Sequence, residues 1–509
     1  MINKIKNNRQ IYIIIISTIV FSLLAHIYSW TNSIYNHDDL LVHVTDDAWQ
    51  VSIGRFMHPY YALLRGRIAS RIIIAILGVS FLILAIILLH KIFKWQNSSF
   101  IILICGILST NIVLTALNAS FVFHYDVDLL AFLLSVLAVY LSINYKYGFL
   151  YGSICIALAL GLFQAFFSVS VIIFMIYIMI QLMNNKKCSK LIIKSLATLI
   201  LGGLLYYILY LLSLKLWGIP PAGTYNTIAG VGNFQGHSII KLFLGTYQTF
   251  FDFLIHPKTF HSKLIGIINI ILLIFSLSVI IISLFKNKLS MINKILLISL
   301  VLLLPFGINC IYFISKGLIH ELMIYSYFFY YIWFFCLLEY YLANYAKKSP
   351  LSKKVCILFM IFLGIINYTA IVYANQIYVK KDFESQASLS VMTRILYEIE
   401  HTEGYEPGVT PVAILGLLSH NEEIKYKRFD QYFDVAGVYD NYVTSYDFTY
   451  EWYFKNILGY NINLLNINEK EKYKELEQVQ EMNSFPKPNY CQMIDNVVVV
   501  KIADDLSFW

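Results

Sequence analysis

Charge is scarce in this chain: Asp, Glu, Lys and Arg make up 13% of 509 residues, while 59% are hydrophobic. A soluble core does not need that much apolar sequence, whereas a polytopic membrane protein does. Extracytoplasmic cysteine is also scarce. Of seven cysteines, Cys105, Cys155, Cys310, Cys336 and Cys356 fall in apolar runs and Cys188 in a basic loop. Only Cys491 lies in the polar tail, which excludes an internal disulfide there. There is no C-x-x-C pair, no G-x-x-x-x-G-K-[ST] loop, no G-x-G-x-x-G after a strand and no H-E-x-x-H. These absences argue against ATP-driven pumps and zinc proteases of familiar types. No convincing internal repeat is present and mid-span charges are almost absent, whereas secondary transporters usually show both.

What is there is a series of apolar runs with mean hydropathy +0.66 overall. About eleven read as spans: 11–30, 71–90, 98–117, 127–143, 148–163, 166–183, 192–214, 264–285, 294–314, 321–342 and 355–376. The fifth and sixth are short and separated only by Gln164-Ala165, so they also fit one kinked helix or a re-entrant pair. The basic start followed by an apolar run without an A-x-A-like site reads as an uncleaved anchor. Lysines gather in alternate loops, at Lys4 and Lys6, Lys91 and Lys94, Lys146, Lys186 to Lys194, Lys286 to Lys294 and Lys347 to Lys354. That is the positive-inside pattern, with a cytoplasmic N-terminus. The net charge of +8 is therefore no sign of nucleic-acid binding.

This orientation places loops 31–70, 118–126 and 215–263 outside, together with the tail after 376. The expected architecture is a transmembrane helical domain over 1–376 and a small extracytoplasmic α/β domain over 377–509. The tail carries two apolar strand candidates, Pro411 to Leu418 and Asn496 to Ile502, after a helix candidate from Glu384 to Glu400. Its aromatics from Tyr426 to Tyr460 favour a folded domain over a loose tail.

The first outer loop holds the chemistry. It reads N-H-D-D-L-L-V-H-V-T-D-D-A-W from Asn36 to Trp49. Carboxylates beside a bilayer are costly to desolvate and usually functional there. Asp38 and Asp39 are adjacent, so their side chains diverge and one of them faces a given substrate. Such a group can act as general base toward a hydroxyl or bind a divalent cation. Asp46 and Asp47 form a second doublet, which could instead cap a surface helix at Thr45. Arg55, Arg65 and Lys215 are candidates for holding a phosphate, and Trp49 for a sugar face. Arg67 and Arg71 fit snorkelling at the start of a span. In F-H-Y-D-V-D, Asp126 and Asp128 on an extended segment would share one side and could hold a hard cation. Capping of a helix start accounts for the same residues, and His124 reads as an interfacial histidine. The Gly-rich stretch from Ala222 to Gly236 reads as a mobile loop over substrate or a plain connector. Tyr325, Tyr327, Tyr330 and Tyr331 read as helix-packing aromatics. Glu321 fits a site acid or a cap, and Glu339 an acid facing cytoplasmic lysines.

Taken in order along the chain, these motifs resemble the GT-C superfamily of integral-membrane glycosyltransferases, and within it the bacterial GtrII-type glucosyltransferases. The matching elements are N-H-D-D after the first span, D-A-W-Q-V-S-I-G-R-F before the second and G-L-F-Q-A-F-F around Gln164. Y-A-N-Q-I-Y leading into a tail with S-F-P-K-P-N-Y and N-V-V-V-V-K-I completes the set. Phe163 stands where that family usually has tyrosine, and Tyr225 to Gly236 matches nothing in it.

The resemblance implies a multi-pass enzyme of the bacterial cytoplasmic membrane. It would take a hexose, usually glucose, from a polyprenyl-phosphate carrier on the outer face and pass it to a cell-envelope glycan. Asp38 or Asp39 would be the base. Arg55, Arg65 and Lys215 would receive the leaving phosphate, and Trp49, Asp46, Asp47 and Gln164 would contact sugar or acceptor. Some related enzymes use a divalent metal, Mg or Mn, held by acids of the first and second outer loops, for which Asp126 and Asp128 are the candidates here, and others need none. The competing classes are a lipid-linked glycan flippase or polymerase, a secondary transporter and a non-catalytic envelope scaffold.

Overall fold

The computed structural model describes residues 2–41, 46–67, 69–222, 238–256, 262–345, 350–424, 435, 442–444 and 446–508. The chain divides into two compact units. The first comprises Met1–Ile27, Thr45–Leu117 and Phe123–Ala374, and the second Tyr28–Val44, Asn118–Val122 and Asn375–Trp509.

The first unit is helical. Its helices begin with α1 Ile2–Thr31, α2 Asp47–Ser52, α3 His58–Arg65, α4 Arg71–Phe93, α5 Ser98–Thr110, α6 Ile112–Ser120 and α7 Tyr125–Asn144. They continue with α8 Gly148–Leu162, α9 Phe167–Met183, α10 Ser189–Trp217, α11 Ile239–Ile255 and α12 Lys263–Lys286. The series closes with α13 Met291–Leu302, α14 Leu304–Ile308, α15 Cys310–Ile314, α16 Phe329–Asn344 and α17 Pro350–His401, whose residues from Asn375 on belong to the second unit. Among the described residues, eight segments are long and apolar enough to cross a bilayer. This is a polytopic helical membrane protein.

The count is lower than the expected eleven for local reasons. The run 294–314 is cut into α13, α14 and α15. Pro305 lacks an N–H and cannot continue a helix through that point. The run 321–342 becomes two tight turns, Glu321–Met323 and Tyr325–Phe328, followed by the 16-residue α16. The 15-residue α8 is also too short for an ordinary span. It is separated from α9 by the extended Phe163 (φ −156°, ψ 121°) and a turn at Gln164–Phe166. The last expected span and the helix expected from Glu384 are one helix, the 52-residue α17. The expected loop 215–263 contains α11, and most of its Gly-rich stretch lies outside the described residues.

The most enclosed span is Ser98–Ser120, 89% buried. It breaks at Asn111, whose amide bonds the carbonyls of Ile107 and Leu108 that the break leaves open. Tyr325 also donates to the Leu108 carbonyl. Tyr330 and Tyr331 donate to the carbonyl and side chain of Asn269. All four tyrosines of this patch are buried, so they pack helices together. Glu339 Oε1 accepts the backbone N–H groups of Gln96 and Asn97.

The second unit is α/β. Its sheet comprises β1 Pro411–Leu415, β2 Asn463–Leu464, β3 Cys491–Ile494 and β4 Val497–Lys501, in the order β2-β1-β4-β3. The two strands expected from sequence, β1 and β4, are its central parallel pair. Both are fully apolar or buried along their length, as strands covered on two faces must be. Small helices α18 Asp447–Trp452, α19 Ile467–Lys474 and α20 Glu477–Glu481 complete the unit. Lys501 ends β4 by donating to the carbonyls of Val479, Gln480 and Met482 at the end of α20. Leu40 is wholly buried in the same core as Val412, Ile414, Val498 and Val500, so the acidic loop is anchored there.

Candidate active site

The polar cluster of the first unit is built by a clasped turn. Asp46 accepts the N–H of Trp49 and so caps α2, which begins at Asp47; Thr45 lies outside the described residues. After α2 the chain turns at Gly54, φ +87°, a conformation that glycine adopts at little cost. Gln164 donates to the Ile53 carbonyl at 3.0 Å and to the Tyr206 hydroxyl. Tyr206 donates to the Gly54 carbonyl, and Tyr210 to that of Ser52 at 2.8 Å. Met57 N–H reaches the Gly161 carbonyl. The turn is thereby tied to α8, α10 and the α8–α9 junction, which orients Arg55. In Gly54→Ala the new Cβ would collide with the Tyr206 hydroxyl and lie 2.8 Å from the Gln164 nitrogen. The expected result is a loss of about 1–3 kcal/mol, visible as a lower melting temperature in detergent.

Arg55 Nη1 donates to His124 Nε2 at 3.3 Å, and its guanidinium lies 4.7 Å over the Phe163 ring. Phe163, where a tyrosine was expected, therefore supplies a face for the cation. Among the described residues, no carboxylate lies within ion-pair distance of Arg55. Its Nε is buried without a hydrogen-bond partner, as are both ring nitrogens of His58 and Nδ1 of His320. The His58 ring sits 4.7 Å from that of His124. Burial, reinforced by Arg55 and Arg65, pulls the His58 pKa down to about 3. Burial and Arg55 pull that of His320 down to about 4. Both imidazoles are neutral at pH 7, leaving each an N–H to donate. The Arg55 Nε–H and the imidazoles of His58 and His320, each with a buried nitrogen lacking a hydrogen-bond partner, are suited to seat an anion.

Arg65 differs from Arg55. Its Nη1 donates to Asp126 Oδ1 at 2.7 Å and to the Phe123 carbonyl at 2.8 Å. Tyr61 donates to Asp126 Oδ2, and the charged groups are 2% and 0% exposed. This charge is neutralised by a buried partner, so Arg65 locks α3 onto α7.

The expected extended D-x-D is instead the first turn of α7. Residues two apart on a helix diverge by about 200°, so Asp126 and Asp128 point to different sides. Asp126 is engaged by Arg65, Tyr61 and the Val127 N–H. Asp128 is buried and under the attraction of Arg55. The pair does not fit a shared metal ion. Among the described residues, no group of three His, Cys, Asp or Glu side chains is placed to hold one.

The remaining candidates are dispersed. Asp47 pairs with Arg67 at 3.0 Å on the surface. Trp49 is 41% exposed. Lys215 is exposed near the end of α10. Gln164 holds the turn beneath Arg55.

In the second unit the acidic doublet divides. Asp39 is buried, and its Oδ2 accepts the Asn36 N–H at 3.2 Å while its own N–H returns to the Asn36 carbonyl. Asn456 donates to the Leu40 carbonyl at 2.7 Å. With the doublet held on both sides, the Asp38 side chain remains 35% exposed, 3.4 Å from His37 Nε2. Burial, with help from Lys381, lowers the His37 pKa to about 4, so the imidazole beside Asp38 is neutral at pH 7. Lys381 is bound to Glu384 at 2.9 Å, with Lys380 at 3.9 Å. Sequence reading missed His37, His58, His320 and this lysine pair. The K-K-x-x-E spacing at 380–384 was the available signal for the last.

The helical spans enclose a buried polar cluster built around Arg55 and define an integral-membrane protein. The family model for Glucosyl transferase GtrII matches residues 27–340, more than half of the chain. The chain belongs to that family and is a glycosyltransferase, which decides against the flippase, transporter and scaffold readings. No curated protein and no solved structure matches it.

Proposed function

We propose that the enzyme transfers a hexose, glucose by the family's label, from a polyprenyl-phosphate carrier to a cell-envelope glycan. The reaction takes place on the outer face of the bacterial cytoplasmic membrane, with the N-terminus cytoplasmic and the second unit extracytoplasmic. No nucleotide sugars are present on that face, so a lipid-borne donor suits it. The observation that carries this reading is Arg55, half-buried, held by His124 and Phe163 and without a carboxylate in ion-pair distance among the described residues.

Asp38 takes the proton of the acceptor hydroxyl. The oxygen attacks C1, and the bond from C1 to the phosphate oxygen breaks. The electron pair leaves with the lipid phosphate, and the single displacement inverts C1. Arg55 and the N–H groups of His58 and His320 receive the phosphate as its charge grows. Arg65 supports this grip through α3, and Lys215 remains a candidate for the lipid phosphate at the membrane edge.

The test is transfer of radiolabelled glucose from polyprenyl-phosphate-glucose to envelope glycans in membranes carrying the enzyme. Wild-type transfer is expected. Arg55→Ala and Arg55→Lys should both lower kcat/KM for the donor by about tenfold to a hundredfold, about 1.4–2.7 kcal/mol. Lysine fails because it lacks the planar fork and stacks poorly on Phe163. Full activity of Arg55→Ala would remove the anion seat.

A further inference from the structure

The segment that carries Asp38 is flanked by a row of rings that no part of the reaction described so far uses. Tyr446 and Phe448 are stacked, with centroids 5.5 Å apart and planes 5° from parallel. Phe448 lies 4.7 Å from Trp452. At the other end His37 meets the Tyr446 ring edge-on at 5.0 Å, and His37 Nε2 is 3.4 Å from Asp38 Oδ2. The row therefore runs without a gap from the acid to Trp452, all within the second unit.

The local fold explains why Tyr446 and Phe448 face outward. Along α18, Asp447 turns inward to Lys470 at 2.7 Å, and Tyr450 and Tyr453 enter the core. Phe448 and Trp452, four residues apart on the helix, share the opposite face. Tyr446 just before the helix joins them. Tyr446 and Phe448 are 36% and 37% exposed. Trp452 is half-buried against the core and supports the row from below; single exposed apolar residues are ordinary, but a stacked exposed pair beside polar groups marks a contact surface.

We propose that Tyr446, Phe448 and Trp452 form a carbohydrate platform that holds the acceptor glycan against Asp38. This rests on the reading of Asp38 as the base for the acceptor hydroxyl. The C–H face of a pyranose packs on a ring face, while its hydroxyls stay at the edge where polar groups reach them. The platform offers both: flat apolar faces, and at one end the polar atoms of Tyr446, His37 and Asp38. Rigid aromatics give much contact area for little loss of side-chain freedom, which suits recognition of a repeating polymer. The α18 segment also packs directly against residues 38–41, so a sugar on the rings is continuous with the acid.

The test uses the full-length enzyme in detergent micelles and oligosaccharides released from an envelope polysaccharide, with binding read by saturation-transfer NMR. Wild type should bind. Phe448→Ala and Tyr446→Ala should each weaken binding about tenfold, about 1.4 kcal/mol. Phe448→Trp should retain it, and Phe448→Leu, which keeps the fold but not the flat face, should not. Binding equal in all variants, or absent in wild type, would overturn the platform. So would variants that bind saccharide normally but lose affinity for anionic phospholipid vesicles, since the row would then be a membrane anchor. Saccharide binding that depends on Phe448 in an enzyme that transfers no glucose would leave the platform standing and overturn the proposed donor instead.

Discussion

Asp38→Asn is expected to lower glucosyl transfer a hundredfold or more, about 2.7 kcal/mol of barrier, while Asp39→Asn leaves the rate within severalfold. The two residues are neighbours, yet their surroundings differ. Asp39 Oδ2 accepts the Asn36 N–H inside the turn, and an asparagine oxygen can accept that same bond. Asp38 is the member with side-chain surface open to a substrate. Its replacement keeps the size and removes the proton acceptor. The measurement is kcat for each variant in membranes, at matched expression and saturating donor. A large loss in Asp39→Asn with normal activity in Asp38→Asn would reverse the assignment. Normal activity in both would mean that neither is the base.

Arg65→Ala and Asp126→Ala are each expected to destabilise the first unit by about 3–5 kcal/mol. Removing one partner of a buried pair strands the other charge away from water. Both groups are almost wholly enclosed, so solvent cannot take over the lost bond. Asp126→Ala additionally frees the Tyr61 hydroxyl, and Arg65→Ala frees the Phe123 carbonyl. The double variant Arg65→Met with Asp126→Leu should recover much of the loss, because neither charge remains. Thermal unfolding of the purified variants in detergent tests this. Single variants as stable as wild type would mean that the pair is open to water. Activity should fall with stability in the single variants, since α3 carries His58 beneath Arg55.

The two arginines show how far the linear order of residues reaches. Both stand in the same loop as basic residues between spans, and both were reasonable phosphate ligands. Their partners lie far away in the chain: Asp126 for Arg65 and His124 with Phe163 for Arg55. Which arginine is neutralised therefore depends on how α3, α7 and the α8–α9 junction pack. The same applies to Gln164. It was legible as a polar residue between two short apolar runs, but its bonds to Ile53 and Tyr206 come from three separate segments. The D-x-D at 126–128 was misjudged because helix α7 starts one residue before it, and a helical start reverses the sidedness of alternate residues. His58 and His320 gave no periodic signal at all, since a lone histidine in a loop looks the same whether buried or exposed.

By itself the sequence determined that this protein is a multi-pass helical membrane protein, and it located the two apolar runs that become the central strands β1 and β4. It also determined that its acids gather after the first span. Hydropathy, strand-forming runs and order along the chain are local properties, and each acts within about twenty residues, the length of one span. Only the tertiary structure decided that the Asp38 side chain is part-exposed while Asp39 is buried, that Arg65 has a carboxylate in ion-pair contact while Arg55 has none among the described residues, and that three aromatic rings line up beside the acid. Those are outcomes of burial and of partners remote in sequence. The free energy of a charge or a ring depends on what surrounds it, and its neighbours in sequence are only a small part of that.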